Sequence, residues 1–258
     1  MKGEALREFQ KDKLSVFIAE NRQEMGVIAA DGIAKKIVSL LKEQETVNIV
    51  FAAAPSQNDV LESLSYHSEL DWRRIVALHM DEYEGMTREH PQSFGFYLDE
   101  HIFGTHPFKE VFYIGCGKGV KATCKRYGAI LENHKPDIVL MGIGENGHIA
   151  FNDPGVADFS DKETIKPVPL DEICRMQQVH DGCFESLEIV PKRAYTLTVP
   201  ALFSAKSLFC SVPCKTKASA VKRMLCGEIG ESCPATILRR HGEAKLYLDA
   251  DSASLLDL

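Results

Sequence analysis

The sequence places a histidine five residues before an aspartate, as His148 and Asp153, in a short segment rich in glycine. A histidine that is oriented by a carboxylate can accept and release a proton near neutral pH. The same two side chains could hold a metal ion, but no third ligand stands at a convincing spacing, so we expect no metal. The pair therefore predicts acid–base chemistry in which His148 carries the proton.

Three glycines precede the histidine, namely Gly142, Gly144 and Gly147. Their spacing matches the glycine pattern of a dinucleotide-binding loop. Such a loop should open a long helix, whereas Pro154 soon interrupts this segment. We therefore expect no nucleotide cofactor, and we interpret Gly142 and its neighbours as room for a sugar to approach the backbone.

Two adjacent carboxylates, Asp81 and Glu82, directly follow an apolar run at residues 74–80. We expect that they cannot both point into the core. A carboxylate at the end of a buried strand, in a partly dry cleft, can act as a general base once burial raises its pKa. A pair of solvated turn residues is the alternative. Asp81 is the predicted second catalytic group.

Two further places have residues that suit an anionic ligand. Lys217 stands at the start of a helix predicted over residues 216–225, where its charge would add to free backbone N–H groups and to the helix dipole. A turn of small residues with Ala53, Ala54 and Ser56 would let a ligand come close, and it offers one hydroxyl. Both places predict substrate binding, and a solvated surface lysine is the alternative for Lys217.

The hydrophobic pattern predicts the elements that must position these residues. Short apolar runs alternate with longer amphipathic stretches along the whole chain. The runs are continuous, which is typical of strands buried on both faces. This alternation predicts an α/β fold with a mainly parallel sheet flanked by helices, and ligands then bind beyond the carboxyl ends of the strands. The predicted strands are 47–53, 74–80, 111–114, 137–141, 195–199, 207–212 and 245–248, and the predicted helices are 25–42, 56–66, 94–103, 119–134 and 216–225.

We predict a single domain over residues 1–258, because no repeat, low-complexity tract or Pro/Gly-rich linker divides the chain. Residues 160–191 fit the alternation poorly, since they are polar and contain Pro167 and Pro169. A long excursion of this kind is often a lid over an active site. A surface insertion without a role is the alternative.

The composition bears on the classes of partner. The 258-residue chain carries a formal net charge of −7, so we expect neither nucleic acid nor an anionic membrane as a partner. No apolar run is long enough for a signal peptide or a membrane span, which predicts a cytoplasmic protein. The eight cysteines include no Cys-x-x-Cys pair and are expected to be reduced thiols. A homo-oligomer and a monomer both stay open.

In their order along the chain, these segments resemble the glucosamine-6-phosphate deaminase/isomerase family. Residues 80–83 match its Met-Asp-Glu-Tyr motif. Residues 142–154 match its Gly-x-Gly-x-(Asp/Asn)-Gly-His-Ile-(Ala/Gly)-Phe-Asn-Glu-Pro motif almost throughout, and residues 217–221 and 233–238 are similar to its C-terminal patterns. The resemblance covers most of the chain and implies a Rossmann-like sheet with helices on both faces.

The resemblance implies metal-free conversion of glucosamine 6-phosphate to fructose 6-phosphate and ammonia, without a cofactor. His148 would help to open the sugar ring, and Asp81 would move a proton between C2 and C1 to form an enolamine. Because the imine that follows is hydrolysed, we expect a hydrolase as well as an isomerase and deaminase. Asp153 and Asn146 would orient and tune the histidine, and Lys217 would hold the phosphate.

The chain departs from the family pattern at four places. Asp153 stands where the family has glutamate, and residues 52–55 read Ala-Ala-Ala-Pro in place of a Gly-Gly-Thr-Pro phosphate turn. A phosphate-binding arginine of the lid has no clear counterpart, although Arg175 is a candidate. The Arg-x-Lys that helps to bind an allosteric amino-sugar phosphate is Thr-Ile-Lys at residues 164–166, so we predict no such activation.

Three other functions stay open. A deaminase/isomerase could act on another sugar phosphate, such as galactosamine 6-phosphate, because a few hydrogen bonds decide epimer preference. A 6-phosphogluconolactonase has the same fold, but that family continues Gly-His with Thr-Ala-Ser-Leu-Phe-Pro, where residues 149–154 read Ile-Ala-Phe-Asn-Asp-Pro. A non-catalytic sensor of sugar phosphates is the third, and it would not need Asp81 as a base.

Overall fold

A computed structural model describes residues 4–115 and 117–257 and shows an α/β architecture. The strands, numbered in chain order, are β1 (Arg7–Lys11), β2 (Leu14–Ala19), β3 (Val47–Phe51), β4 (Ile75–His79), β5 (Asp81–Tyr83), β6 (Glu110–Val111), β7 (Ile138–Met141), β8 (Ile165–Pro169), β9 (Arg193–Leu197), β10 (Ser207–Val212) and β11 (Ala244–Asp249). The α-helices are α1 (Arg22–Leu40), α2 (Asn58–Ser65), α3 (Phe94–Leu98), α4 (Val120–Asn133), α5 (Glu172–His180), α6 (Val199–Phe203) and α7 (Ala218–Cys226).

Eight of these strands form one sheet in the order β1-β2-β11-β10-β7-β3-β4-β6. Its neighbouring strands run parallel, except in the hairpin β1–β2. Strands β4, β7 and β10 are buried throughout, as expected for apolar runs between two layers of helices. The prediction of a mainly parallel sheet flanked by helices is confirmed. The edge hairpin was not predicted, because β1 is mostly exposed and polar.

Apolar side chains pack on both faces of the sheet. On one face, α1 and α2 cover a cluster that includes Ile33, Ile49 and Leu64. On the other face, α4 and α7 cover a cluster that includes Tyr127 and Val221. Among the described residues, no helix combines the length and the apolar character that crossing a membrane requires.

Three strands form a second, antiparallel sheet in the order β5-β9-β8. The prediction that residues 195–199 belong to the main sheet is therefore wrong, because β9 pairs with β5 and β8. An apolar run shows that a segment is buried, but it does not show which strands the segment pairs with. Residues 160–191, which fit the alternation poorly, contain β8 and α5.

Strand β8 lies at the edge of the second sheet and contains Pro167 and Pro169. The N–H of Leu170 donates to the carbonyl of Lys192, and even-numbered residues of β8 therefore face β9. Both prolines face the opposite side, where a missing N–H breaks no bond within the sheet.

Strand β4 ends in a fully buried histidine, His79, that fixes the start of β5. Its Nε2 accepts the backbone N–H of Ile114 at 2.9 Å, so the ring proton is on Nδ1, which donates to the backbone carbonyl of Asp81 at 2.9 Å. Burial lowers the pKa of His79 to about 4, and the ring is neutral near pH 7. A neutral imidazole thus holds together the end of β4, the start of β5 and Ile114.

We expect the substitution His79→Asn to make the fold less sensitive to acid. Because the pKa of His79 in the folded state, about 4, lies below the ordinary value of 6.5, its stabilising contribution is present above pH 6.5 and is lost as the pH falls toward 4. Over this interval the residue alone should lower the free energy of unfolding of the wild type by roughly 3 kcal/mol. Urea unfolding at a series of pH values measures this.

The exposed His90 provides the matched control, as His90→Asn. The control should keep the steep acid dependence of the wild type, whereas His79→Asn should be less stable near neutral pH and lose less stability on acidification. An equal pH dependence of stability in all three proteins would contradict the role of His79.

Candidate active site

The glycine-rich segment leaves the carboxyl end of β7 and forms a tight loop over residues 142–154. Asn152 in this loop is fully buried, and its Nδ2 donates to the carbonyl of Leu197 at 2.8 Å. The N–H of Phe151 donates to the hydroxyl of Thr196 at 3.1 Å. These bonds fix the loop on β9, so the side chains between β7 and Asn152 have defined positions.

His148 and Asp153 meet at the centre of this loop. Nδ1 of His148 lies 2.9 Å from Oδ1 of Asp153, and both residues are buried, with exposed fractions of 7% and 0%. The contact is electrostatic, because the ring N–H is not aligned with that oxygen. Asn146 completes the group: its Nδ2 donates to Oδ1 of Asp153 at 2.9 Å, and its Oδ1 accepts the backbone N–H of His148 at 2.9 Å.

The surroundings of Asp153 keep it ionised. Burial alone would raise the pKa of Asp153, but the contacts with His148 and Asn146 lower it by more, so the pKa lies below the ordinary value for aspartate. The 2.9 Å contact also shows that the loop brings the shorter aspartate side chain within reach of the histidine.

Gly144 makes room for the imidazole ring. A Cβ at this position would lie 2.1–2.4 Å from atoms of the His148 ring, which is far inside van der Waals contact. The N–H of Gly144 also donates to the carbonyl of His148 at 3.0 Å. Packing against the ring therefore requires this glycine. Gly142, in contrast, lines the cavity, where a Cβ would lie 3.3 Å from the hydroxyl of Ser56.

Asp81 and Glu82 are both buried, with exposed fractions of 7% and 1%, so the expectation that they cannot both point inward is wrong. The carboxylate of Glu82 is accommodated because it accepts the backbone N–H groups of Tyr83, Phe94 and Gly95. Burial nevertheless raises the pKa of Glu82 to about 7. Burial, followed by the adjacent Glu82, raises the pKa of Asp81 well above its ordinary value.

A small cavity lies beyond the carboxyl ends of β3, β4 and β7, which are neighbours in the main sheet. Asn146 and Asp153 contact His148 but do not line this cavity. Two larger surface hollows beside α1 contain neither the histidine nor Asp81, so volume alone does not identify the site. The predicted residues that line the cavity are Ala53, Ala54, Ser56, Asp81, Gly142 and His148, and α5 adds Gln177 and Gln178.

Lys217 directly precedes α7 and is 5% exposed. Its Nζ has no hydrogen-bond partner in the part of the chain that the structure describes. Burial lowers the pKa of Lys217, while the carboxylates of Asp181 and Glu145 raise it. Because an unpaired buried ammonium is unfavourable, this position would favour a bound anion.

Arg22 is a cation that sequence reasoning missed. Its guanidinium donates to the carbonyl of Pro55 at 3.0 Å and to the carboxylate of Asp59 at 2.7 Å, and it lies 3.7 Å from Sγ of Cys214. It therefore connects the turn of small residues to the segment that leads to Lys217. Its position in the first turn of a helix could have indicated a special role, because the helix dipole disfavours a positive charge there.

Arg175 does not point toward the cavity. Its guanidinium donates to the carbonyls of Leu187 and Val190, so it stabilises the chain that follows α5. The expectation that Arg175 replaces the missing lid arginine is therefore not supported by its position. Lys166 forms an ion pair with Asp161 at 2.7 Å.

Helix α5 is joined to the glycine-rich loop by polar contacts. Asp171 caps α5 by accepting the N–H of Cys174 at 2.6 Å, and it also accepts Nδ2 of Asn146 at 3.2 Å. Oε1 of Gln177 accepts the backbone N–H of Glu145 at 3.0 Å. The polar excursion in the sequence is thus in direct contact with the residues around the histidine.

Cys174 lies beside the histidine and the aspartate, which the spacing in the sequence does not reveal. Its Sγ, a ring nitrogen of His148 and a carboxylate oxygen of Asp153 all lie within 4.8 Å of one another, and all three residues are buried. A third potential ligand atom is therefore present, and the absence of a metal stays a prediction. Cys174 belongs to a different element, and the fold alone brings it to the histidine.

Comparison with known proteins identifies the family of this chain. Residues 20–247 match the family described as glucosamine-6-phosphate isomerases/6-phosphogluconolactonase. The chain belongs to this family. It is 33% identical over 227 residues to glucosamine-6-phosphate deaminase of Listeria monocytogenes serotype 4a (strain HCC23), which covers 86% of this chain and 95% of the relative. The enzyme of the same name from Exiguobacterium sibiricum is 33% identical over 240 residues, 93% of this chain and 92% of that protein.

Solved structures of the family have the same fold. A monomeric glucosamine-6-phosphate deaminase superposes with a TM-score of 0.84 at 30% identity, over 93% of this chain and 99% of that one. The 6-phosphogluconolactonase of Trypanosoma brucei has a TM-score of 0.77 at 17% identity, over 97% of this chain and 100% of that one. At this identity the second match shows the fold alone.

The relatives also correct one expectation. Hydrolysis of an imine led us to expect a hydrolase, but the relatives above 30% identity are named deaminases and the matching family is described by its isomerases. The description as a hydrolase is therefore wrong. Loss of the amino group and rearrangement of the sugar are the features by which these relatives are named.

In this member of the family, the substitution Gly144→Ala should displace the imidazole of His148. The added methyl group would overlap the ring, which cannot move freely because it is 93% buried by Asp153 and its neighbours. The imidazole NMR signals of His148 should therefore shift. Gly242→Ala is the matched control, since a Cβ there meets nothing within 4 Å. Unchanged His148 signals in a folded Gly144→Ala variant would contradict this packing.

Proposed function

We propose that this chain converts glucosamine 6-phosphate to fructose 6-phosphate and ammonia, as an amino-sugar-phosphate deaminase and isomerase. One observation supports this above all: Asp81 and His148 line one cavity, and Asp153 contacts the histidine, in a chain that is 33% identical to a protein named glucosamine-6-phosphate deaminase. The arrangement suits a reaction that needs a base at the carbon skeleton and a separate proton carrier at the ring oxygen.

In the proposed mechanism, His148 acts first by opening the sugar ring. It delivers a proton to the ring oxygen while the C1 hydroxyl loses one, which gives the open-chain aldehyde. Asp153 and Asn146 fix the position of His148, because Asp153 contacts the imidazole and Asn146 binds both Asp153 and the backbone N–H of His148. They are positioning residues, since neither lines the cavity.

Asp81 then moves a proton along the carbon chain. It removes the proton from C2 while the aldehyde oxygen gains one, and the product is an enolamine. Return of the proton to C1 gives an imine at C2, and water replaces nitrogen there to release ammonia. Burial raises the pKa of Asp81, which makes its carboxylate a stronger base than an exposed aspartate. No metal or cofactor is needed in this sequence of steps.

The phosphate is proposed to bind at Lys217. The unpaired buried ammonium favours an anion, and Ser56 offers a hydroxyl from the cavity lining. Ala53, Ala54 and Gly142 carry small or no side chains, so the substrate can approach the backbone. Because the turn lacks the hydroxyl of a Gly-Gly-Thr-Pro sequence, another sugar phosphate such as galactosamine 6-phosphate is the second candidate substrate.

The wider assignments follow from the same proposal. The chain would act as one domain over residues 1–258, in the cytoplasm, on a phosphorylated amino sugar and without nucleic acid or a membrane as partner. Residues 160–191 would form the lid, since Gln177 and Gln178 of α5 line the cavity and would have to move to admit a substrate. A homo-oligomer and a monomer are both compatible with this reaction.

The first prediction of this proposal concerns ammonia release from glucosamine 6-phosphate without added metal. The wild type should release ammonia, and Asp81→Asn should lower kcat by about 10²–10⁴-fold because the amide cannot accept the proton. His148→Gln should also slow the reaction, while Asp158→Asn, at an exposed position, should leave it unchanged.

Assays with different substrates distinguish the alternative functions. Turnover of galactosamine 6-phosphate in preference to glucosamine 6-phosphate would change the substrate and keep the mechanism. Lactone hydrolysis that exceeds deamination, or turnover that survives Asp81→Asn, would contradict the proposal. Saturable binding with no turnover of any amino-sugar phosphate would identify a sensor instead.

A second prediction concerns Lys217→Met. Loss of a charged contact to phosphate should raise KM for the sugar phosphate by about 10–100-fold with a smaller change in kcat. The free variant should unfold at a higher temperature than the wild type, because methionine replaces a buried unpaired ammonium. Inorganic phosphate should raise the Tm of the wild type and not that of the variant. Lys222→Met, exposed on the same helix, is the control, and an unchanged KM in Lys217→Met would contradict the assignment.

A further inference from the structure

A cluster behind the proposed active site joins two elements that the mechanism treats separately. His148 and Asp153 come from the glycine-rich loop, and Cys174 comes from α5. Their potential ligand atoms lie within 4.8 Å of one another, and the three residues are at most 7% exposed. The reaction proposed above gives Cys174 no part, although its buried thiol interacts with the carboxylate of Asp153.

Two atoms of this cluster lack a hydrogen bond. Nδ1 of His148 is close to Asp153 but makes no aligned hydrogen bond, and Oδ2 of Asp153 has no partner among the residues that the structure describes. Buried polar atoms are almost always satisfied by a protein group, water or an ion. An imidazole nitrogen and a carboxylate oxygen left open beside a thiol are therefore a reason to look for a bound cation.

The donor set identifies the class of cation. Imidazole, carboxylate and thiolate together suit Zn²⁺ or Co²⁺ in tetrahedral geometry, whereas Mg²⁺ and Ca²⁺ prefer oxygen alone. Bond lengths of about 2.0–2.3 Å place neighbouring ligand atoms roughly 3.3–3.8 Å apart. The longest separation in the cluster must therefore shorten, and the 2.9 Å separation of His148 Nδ1 and Asp153 Oδ1 must lengthen slightly. Three protein ligands leave the fourth position for water. Asp81 and Asp171 lie close enough to Cys174 to add to the negative potential.

We propose that His148, Asp153 and Cys174 form a site for a zinc-type divalent cation, and that its occupation inhibits the enzyme. On binding, the thiol proton of Cys174 passes to solvent and sulfur bonds to the metal. The bound cation replaces the contact between Asp153 and the imidazole that orients the ring. His148 then no longer carries a proton to the sugar. The same bonds link α5 to the loop. The inhibitory part rests on the proposed deaminase function, whereas the site itself does not.

Binding can be measured without reference to activity. Metal-free protein is titrated with Co²⁺ in the absence of thiol reductants, and the thiolate-to-Co²⁺ charge-transfer band and the intense d–d bands of tetrahedral Co²⁺ are recorded. The wild type should bind one Co²⁺ with both signatures, and Zn²⁺ should displace it. Cys174→Ser and Cys174→Ala should lose the charge-transfer band and bind at least about tenfold more weakly.

Another cysteine of the same segment provides the control. Cys183→Ser should keep the spectrum of the wild type, since Cys183 is not part of the cluster. Circular dichroism and the Tm of the metal-free proteins confirm that each variant is folded. A charge-transfer band that survives in both folded Cys174 variants, or the lack of any Co²⁺ spectrum in the wild type, would overturn the site.

Activity then tests inhibition, with each variant compared with its own metal-free rate. Zn²⁺ should reduce ammonia release by the wild type and by Cys183→Ser at the concentration at which it displaces Co²⁺, and a chelator should restore the rate. Cys174→Ala should need at least about tenfold more Zn²⁺. A rate that is unchanged or raised by the bound metal would overturn inhibition. Cysteine-dependent Co²⁺ binding without ammonia release in any state would instead refute the deaminase function and leave the site established.

Discussion

The arrangement of the candidate active site depends on keeping one carboxylate ionised without contact with water. Asp153 is 0% exposed, and burial by itself raises the pKa of its carboxylate. The contacts that lower this pKa again come from His148 and Asn146, so the ring and the amide must stay where they are. Asn146 also donates to Asp171, which caps α5. The electrostatic requirement of a single side chain thus sets the relative positions of the loop and of the helix that covers it.

The second sheet positions both candidate catalytic residues, Asp81 and His148. In the pairing of β5 with β9, Asp81 stands opposite Thr196. The hydroxyl of the same Thr196 accepts the N–H of Phe151 and so holds the loop that carries His148. Asp81 and His148 belong to segments that leave two different strands of the main sheet, yet both are located by one residue of β9. The small antiparallel sheet therefore aligns Asp81 with His148, which a parallel sheet with long loops could not do alone.

The sequence predicts the parts of this structure that depend on local pattern. Continuous apolar runs predict β4, β7 and β10, and residues that follow β3, β4 and β7 line the cavity. Contacts between distant segments leave no such pattern. Cys174 reaches His148 through the docking of α5, Arg22 of α1 reaches the carbonyl of Pro55, and Glu82 is buried because α3 offers N–H groups. Each depends on tertiary packing, which hydrophobic periodicity does not describe.

The prolines of β8 have a consequence for how this protein behaves in a crowded solution. An edge strand normally offers a row of free N–H and C=O groups, which another chain can use to extend the sheet and begin an aggregate. In β8 the donors on the outer side are removed at Pro167 and Pro169, while the residues that face β9 keep their bonds. An approaching strand would find acceptors without the alternating donors that pairing requires. The strand is therefore stable within its own sheet and a poor template for any other.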